Sequence, residues 1–245
     1  MKARSLSFLL TFTLLTPLSL VAQVSANHAW KKDINESTPN LKNLYTPNAV
    51  RITPELELVT GVSAIAKSWL AKDLTISEIQ TKQVIQANPI YDYEIGTFTT
   101  SDGLSFSHLI IWKNVNATKK REFELVYERT DQQPDIKVLD PIRELWMKYA
   151  NQHEPMKLVQ ATYHENAYYY NHRPMIIGVA AIGETYAYMK RESYELHLSP
   201  IIVEPVNENI IYEIGQCSGS YGGNYILVWK RGAGGEWKIM LDSNI

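Results

Sequence analysis

The chain has 245 residues, of which 45% are hydrophobic and 20% charged, and its formal net charge at pH 7 is −2. This composition supplies enough apolar material for one or two ordinary cores. The slight acidic excess, with no stripe of basic residues, gives no electrostatic basis for binding nucleic acid. A single cysteine, Cys217, excludes an internal disulfide, so burial of apolar surface has to stabilise the fold.

The first 26 residues have the three-part pattern of an export signal. Lys2 and Arg4 precede the apolar residues 6–22, and residues 24–26 (Val-Ser-Ala) carry small side chains ahead of a cleavage point. The alternative is an uncleaved membrane anchor, but the apolar run is short of the about 20 residues a bilayer requires, and Pro17 interrupts it. We therefore expect cleavage after Ala26 and an exported mature protein, periplasmic or secreted, that is not held in the membrane.

From residue 44 onward the chain repeats itself. The segment "LYTPNAVRITPELELVTGVSAIAKSWL" matches "TYHENAYYYNHRPMIIGVAAIGETYAYM", which begins at Thr162, and "YEIG" occurs at residues 93–96 and again at 212–215. The dipeptide Trp-Lys also recurs, at residues 112–113 and 229–230, so the landmarks keep their order over a whole domain length. We interpret this as two copies of one domain, residues 27–130 and 141–245, joined by a polar linker at residues 131–140.

Within each copy, helices come first and strands later. In the second copy Ile142, Leu145, Trp146 and Tyr149 recur at helical spacing after Asp140, a plausible N-cap, and a proline in the first turn. Helices are also predicted near residues 155–163 and 180–189, and strands at 167–170, 175–177, 194–204, 209–217, 225–231 and 236–242. This order predicts an α+β fold: two tandem cone-like domains, each with N-terminal helices packed on a curved, mostly antiparallel sheet.

Two stretches of the second copy carry a family resemblance. They are "YHENAYYYNHRPMIIGVAAI", with a glycine before a helix containing Ala-Ile, and "YEIGQCSGSYGGNYILVWKRGAGGEWKIMLDSNI", which ends in a strand hairpin. They resemble the nuclear transport factor 2-like superfamily, specifically its ketosteroid-isomerase-like, SnoaL-like branch. The first copy matches fewer landmarks. The resemblance implies the cone-like fold but no particular function, because this fold carries isomerases, cyclases, dehydratases, hydrolases and binding modules.

The resemblance also says where a catalytic base would stand. In the isomerases of the superfamily, a carboxylate general base follows the landmark tyrosine by about eight residues, which corresponds to Asn171 in the second copy and Thr53 in the first. Neither an amide nor a hydroxyl accepts a proton at neutral pH. The resemblance therefore argues against that isomerase chemistry in both copies and leaves open whether the protein is an enzyme.

Other carboxylates remain candidates for acid–base chemistry. Glu94 and Glu213 are equivalent residues of the two "YEIG" strands, and Asp92 and Asp242 also lie on predicted strands. The alternative, which we favour at this point, is that these carboxylates belong to a solvated strand face. Cys217 has no identifiable base beside it and is expected to be a small buried hydrophobe.

The segment "YHENAYYYNH" concentrates four tyrosines in ten residues. Alternation along a strand puts Ala167, Tyr169 and Asn171 on one face, which we expect to line a pocket. The same alternation puts Tyr168 and Tyr170 on the other face, where they would contribute to an interface. One face of the segment is therefore predicted to line a pocket, and the other is predicted to contribute to an interface.

Metal and phosphate sites are not expected. His164 and His172 lie at opposite ends of their segment without metal-ligand spacing, so no metal and no cofactor is predicted. The glycine clusters "GSYGG" and "RGAGGE" are each followed by a strand, whereas a phosphate-binding loop is followed by a helix N-terminus. They are interpreted as turns.

Three functions remain open. The first is binding of a small, largely apolar ligand in an aromatic-lined pocket, for which the candidate residues are Trp146, Tyr149, Tyr169, Asn171, Tyr186, Glu213 and Trp229. The second is a lyase, isomerase or hydrolase acting on a small cyclic molecule, with Glu213 or Asp242 as the base. The third is a protein-interaction module that uses the sheet face.

Two further expectations concern the relation between the copies. Arg51 in the first copy stands where Tyr169 stands in the second, so the two pockets should differ in charge, and only one should bind the principal ligand. The two copies are also expected to pair with each other through their outer sheet faces, as an intramolecular pseudo-dimer. Because that surface would then be occupied, we expect a monomer.

Overall fold

The computed structural model describes residues 17–171 and 174–245. Its first half begins with a long helix, α1 (Pro17–Ile34), and continues with strands that flank one shorter helix. In chain order these elements are β1 (Tyr45–Ile52), β2 (Leu58–Thr60), α2 (Val62–Leu70), β3 (Ile76–Gln86), β4 (Tyr91–Thr100), β5 (Ser105–Val115) and β6 (Thr118–Glu128).

The second half has a similar order of elements, with two helices at its start. They are α3 (Asp140–Asn151), α4 (Pro155–Thr162), β7 (Tyr163–Tyr169), β8 (Ile176–Ile177), α5 (Val179–Thr185), β9 (Leu196–Asn207), β10 (Ile210–Gly219), β11 (Gly223–Arg231) and β12 (Trp237–Ser243). The helix predicted near residues 180–189 is divided, because α5 ends at Thr185 and a tighter 3₁₀ segment, Tyr186–Lys190, follows it.

The start of α3 differs from the sequence-based expectation. Leu139 occupies the N-cap position, and Asp140 is the first helical residue rather than the cap. The Asp140 carboxylate instead accepts a hydrogen bond from Arg143 Nη1, at 2.5 Å. A negative charge in the first helical turn is favourable beside the positive end of the helix dipole, so Asp140 still stabilises this helix, by a different route.

Both halves form six-stranded mixed sheets with the same strand order. The first sheet has the order β2-β1-β6-β5-β4-β3 and the second has β8-β7-β12-β11-β10-β9. In each sheet one pair of strands is parallel, β1 with β6 and β7 with β12, and the other neighbours are antiparallel. The fold class expected from the sequence, two tandem α+β domains, is confirmed.

Each sheet has an inner face that packs against the helices of its own domain. In the first domain this core contains Trp30 of α1 together with Trp69 of α2. In the second domain it contains Trp146 of α3, Leu158 of α4 and Trp229 of β11. Since a strand directs alternate side chains to opposite faces, the remaining apolar residues of the same strands form a separate, outer face.

The outer faces of the two sheets pack against each other in one shared core. Tyr168 and Tyr170 belong to this core, whereas Ala167 and Tyr169 belong to the core of the second domain, so the predicted alternation is confirmed. Polar contacts reinforce the apolar ones: the Tyr212 hydroxyl donates to the Ser107 carbonyl oxygen at 3.2 Å. That the chain is a monomer in solution stays a prediction.

Helix α1 runs through the predicted cleavage point. Residues 1–16 lie outside the described residues, and Gln23, Asn27 and Trp30 are buried in the first domain. Gln23 Nε2 donates to Asp92 Oδ2 at 3.1 Å, and Asn27 Nδ2 donates to Glu94 Oε1 at 2.6 Å. In the described part of the chain no helix is both long and apolar enough to span a bilayer. Export and cleavage after Ala26 stay predictions.

Candidate ligand-binding cavity of the second domain

A cavity of about 440 Å³ lies inside the cone of the second domain. Its walls come from α3, from the 3₁₀ segment after α5 and from the inner face of the sheet, and most of them are apolar or aromatic. The apolar and aromatic lining residues are Trp146, Tyr169, Tyr186, Tyr188, Met189, Tyr194, Leu196, Leu198, Tyr221, Tyr225 and Leu227. The polar ones are Asn171, Cys217, Asp242 and Asn244.

Strand alternation explains how the sequence builds this lining. On β9, on β11 and at the end of β12 the lining residues are two positions apart: Leu196 and Leu198, Tyr225 and Leu227, and Asp242 and Asn244. On β11 the residue between them, Ile226, faces the other way and enters the shared core between the domains. The same alternation therefore sets both the wall of the cavity and the contact between the sheets.

Asp242 is the acidic group of the cavity. It is buried, and its Oδ2 accepts hydrogen bonds from the hydroxyls of Tyr163, at 2.6 Å, and Tyr186. The two hydroxyl oxygens are 3.0 Å apart, which places both tyrosines around one carboxylate oxygen. Burial raises the pKa of Asp242 to about 6, and the hydrogen bonds from the tyrosines only partly oppose that rise. The carboxyl group can therefore exist in either protonation state near neutral pH.

Glu213, the other predicted catalytic carboxylate, is held by four hydrogen bonds from three residues. Arg143 Nε contacts its two oxygens at 3.1 and 2.9 Å, the Tyr225 hydroxyl donates at 2.8 Å, and Trp229 Nε1 donates at 2.9 Å. Glu213 is fully buried, does not line the cavity, and is paired with a cation. Both carboxylate oxygens are therefore occupied by donors from the protein itself, so Glu213 serves as a structural ionic centre.

The solvated strand face favoured for the carboxylates is wrong. Asp92, Glu94, Glu213 and Asp242 are all buried, with exposed fractions between 0% and 4%. The reason is that each lies on the inner face of its sheet, where helices and neighbouring strands supply hydrogen-bond donors. Buried carboxylates need such partners, and sequence alternation alone does not reveal them.

The repeated motif "YEIG" combines three structural roles in consecutive residues. In the second copy Tyr212 and Ile214 enter the shared core between the domains, while Glu213 turns inward to its donors. Gly215 then faces the cavity side opposite Tyr225, its partner across the strands. A β-carbon at Gly215 would collide with the Tyr225 ring, so the glycine makes room for the tyrosine that donates to Glu213.

The first copy builds a similar polar centre, in which the tryptophan donor recurs as Trp112 and the other donors differ. Gly96 makes room for His108, whose Nε2 lies 3.0 Å from Glu94 Oε1. Asn27 Nδ2 and Trp112 Nε1 each donate to Glu94 at 2.6 Å. Burial would raise the pKa of Glu94, but the hydrogen bonds from His108, Asn27 and Trp112 keep it below its usual value. The buried glutamate is thus a shared feature of both domains.

The structure brings four of the seven predicted ligand-binding residues to the cavity. Trp146, Tyr169, Asn171 and Tyr186 line it; Tyr149, Glu213 and Trp229 do not. Asn171 Nδ2 donates to the Tyr169 hydroxyl at 2.8 Å, which links two of the lining residues.

Sequence reasoning missed several lining residues and expected Cys217 to be buried. Tyr188, Tyr194 and Asn244 line the cavity as well, and the last could have been found from its spacing to Asp242. Cys217 is only half-buried at the cavity wall, and burial raises the pKa of its thiol.

The described residues contain no group of three or more histidine, cysteine, aspartate or glutamate side chains placed to hold a metal ion. His172, one of the two histidines weighed as metal ligands, lies outside the described residues.

No protein-family model and no curated protein sequence matches the chain. Solved structures match it over about half its length. An NTF-2 like protein of unknown function from Silicibacter pomeroyi is 12% identical, with a TM-score of 0.39, over 47% of this chain and 100% of that one. A second NTF-2 like protein of unknown function, from Shewanella oneidensis, is 13% identical, with a TM-score of 0.38, over 44% and 95% of the two chains.

A third similar structure is a ketosteroid isomerase-like protein from Erwinia carotovora atroseptica. It is 11% identical, with a TM-score of 0.39, over 48% of this chain and 99% of that chain. The names of these proteins are those of the superfamily that the sequence resembles. At such identities the likeness concerns the fold alone.

Proposed function

We propose that the second domain binds a small, largely apolar molecule that carries a polar group at one end. The observation that carries this proposal is the cavity of about 440 Å³, whose apolar and aromatic walls end at the buried carboxyl group of Asp242. Small-molecule sites are commonly cavities of roughly 300 to 1,000 Å³ with apolar walls and a few polar groups that fix orientation. The second-domain cavity has both features.

The chemistry of Asp242 defines the polar end of such a ligand. Its carboxyl group can donate or accept a hydrogen bond according to its protonation state. A ligand with a hydroxyl or carbonyl oxygen therefore matches this end of the cavity, and its apolar part matches aromatic walls such as the Trp146 ring.

Native mass spectrometry of protein purified without detergent from its own source is the direct test. We expect an added mass of a few hundred daltons, the size a cavity of this volume holds, that is lost on denaturation. The neutral fluorescent probe N-phenyl-1-naphthylamine should bind the same cavity of the protein once that ligand has been removed. Leu198→Trp should weaken binding of the probe by about tenfold or more, because an indole would occupy part of the cavity.

Ile201→Trp is the matched control for this experiment. Ile201 lies on the same strand, β9, but is 49% exposed and does not line the cavity. Its variant should bind the probe as the wild type does. Equal probe binding by wild type and Leu198→Trp, together with a bare mass in the native spectrum, would contradict the proposal.

A second candidate function is proton-transfer catalysis in the same cavity. It is favoured by the Asp242 carboxyl, whose pKa is about 6, with the Tyr163 and Tyr186 hydroxyls around one of its oxygens. A carboxylate with a raised pKa is a better general base near neutral pH, and tyrosine hydroxyls can stabilise developing negative charge. Asp242→Asn should lower conversion of the captured molecule by about 100-fold or more while leaving its binding largely intact. Unchanged conversion would leave binding as the function.

A further inference from the structure

The cavity of the second domain is electrically unbalanced. Asp242 is the only carboxylic acid among the described residues that line it, and none of those residues is a lysine, an arginine or a histidine. Glu213 lies across Leu227 from Asp242 in the sheet, but its charge is offset by Arg143. When Asp242 is ionised, the cavity therefore carries a negative charge that its own wall does not compensate.

One oxygen of Asp242 is left for a ligand. Oδ2 accepts the hydrogen bonds of Tyr163 and Tyr186. Oδ1 accepts none from the described residues, yet it is not one of the enclosed polar atoms that lack a partner, so it keeps surface that is open to the cavity. A carboxylate oxygen in this position can accept a hydrogen bond from a donor that the ligand carries.

The tyrosines of the wall offer their rings rather than their hydroxyls. Six lining residues are tyrosines, and four of their hydroxyls are hydrogen-bonded to other residues of the protein: Tyr186 to Asp242, Tyr169 to Asn244, Tyr225 to Glu213 and Tyr221 to Arg191. Neighbouring rings are nearly perpendicular, with interplanar angles of 79° between Tyr169 and Tyr186 and 77° between Tyr186 and Tyr188. Such a wall presents ring faces as well as edges, and the face of a tyrosine ring attracts a cation.

We infer that the polar group of the ligand is a protonated amine, which donates to Asp242 Oδ1 and lies against the tyrosine rings. The inference rests on the function proposed above and names the chemical class of that ligand, an amine with a hydrocarbon part. A hydroxyl or carbonyl oxygen can also meet Asp242, but only a cation compensates the charge of the ionised carboxylate. The hydrogen bond from an ammonium group to a carboxylate is also about twice as strong as one between neutral groups.

A matched pair of an amine and an alcohol tests the inference. 1-Naphthylmethylamine and 1-naphthylmethanol have the same shape and differ in the group that meets Asp242. Each is titrated calorimetrically into the ligand-free full chain at about pH 7.5, where the amine is protonated. We expect the amine to bind at least about tenfold more tightly than the alcohol.

The pH dependence of this preference needs no variant. Burial raises the pKa of Asp242 to about 6, and its protonation removes the charge that holds the ammonium group. Binding of the amine should therefore weaken by about fivefold or more between about pH 7.5 and pH 5, relative to binding of the alcohol. Burial raises the pKa of the other described titratable groups around Asp242, so they do not titrate in this range: Tyr93, Tyr163, Tyr169, Tyr186, Tyr188, Tyr194 and Cys217.

Two variants complete the test. Asp242→Asn should remove the preference, so that the ratio of the two binding constants falls to about one. Glu184→Gln is the charge-matched control, because Glu184 lies on α5 of the same domain, is exposed and does not line the cavity. Its variant should keep the ratio of the wild type.

The outcomes separate this inference from the function on which it rests. Failure of the amine to bind, equal affinities for the amine and the alcohol, or a preference that persists in Asp242→Asn and at low pH would each overturn the inference. Binding of N-phenyl-1-naphthylamine would in those cases still support the cavity as a binding site. If neither the probe nor the naphthyl compounds bind, the proposed function fails and the inference fails with it.

Discussion

Asp242→Asn is expected to remove a pH dependence of stability that the wild-type protein shows between about pH 4 and pH 7. Burial raises the pKa of Asp242 from 3.8 to about 6 in the folded state. The folded-state pKa of Asp242 thus lies above its unfolded-state pKa. Its contribution to the free energy of unfolding is therefore fully present below the unfolded-state pKa, and it is lost as pH rises through the folded-state pKa. The wild type should therefore lose on the order of 3 kcal/mol, relative to the asparagine variant, across this range.

Urea unfolding of the two proteins at a series of pH values measures this difference directly. The asparagine side chain retains an oxygen that can accept from Tyr163 and Tyr186, so the variant should fold. Asp131→Asn, in the exposed loop between the domains, is the control and should follow the wild type. Parallel stability curves for wild type and Asp242→Asn would show that Asp242 does not titrate in this range.

Arg143→Met is expected to destabilise the second domain by about 3 to 5 kcal/mol. The substitution keeps much of the side-chain volume but leaves Glu213, which is 0% exposed, without its only ion-pair partner among the described residues. An unpaired buried carboxylate is costly because its desolvation is no longer offset by a nearby cation. Thermal or urea unfolding followed by circular dichroism measures the loss.

A double variant separates the lost charge pair from lost packing. If the unpaired charge is the cause, adding Glu213→Gln to Arg143→Met should restore a large part of the lost stability, since the two substitutions then remove both charges. Arg231→Met, at an exposed position on β11, should change stability little. No recovery in the double variant would attribute the loss to packing of the arginine stem.

The fold could be predicted because its signals are local and repeated. Alternation of side chains along "NAYYYN" is sufficient to separate Tyr169 from Tyr168 and Tyr170, and the structure places them in two different cores. The two occurrences of "YEIG" occupy equivalent strands because each residue of the motif has the same role in both domains. Such patterns depend on residues that are neighbours in the chain or in the same sheet. They are therefore visible in the periodicity of the sequence.

The chemistry of the carboxylates could not be predicted in the same way. From the local sequence, Glu213 could lie on either face of its strand. Its partner Arg143, which shows that it is buried and ion-paired, lies 70 positions earlier in the chain. Asp242 depends on Tyr186, 56 positions away, for one of its hydrogen bonds. Partners at such separations are set by how helices dock on the sheet. They determine whether a buried acid is ionised, and no local pattern encodes them.

The shared core between the two sheets has a consequence for how this protein can diversify. In a homodimer of identical chains, any substitution in one cavity is made in both, so the two sites have to remain alike. Here two copies of the fold are joined in one chain, and each position can change alone. Arg51 and Tyr169 occupy equivalent places on β1 and β7, where they are paired with Glu124 of β6 and Asp242 of β12. Covalent linkage has thus allowed one architecture to place a cation beside the acid in one interior and a neutral tyrosine beside the acid in the other.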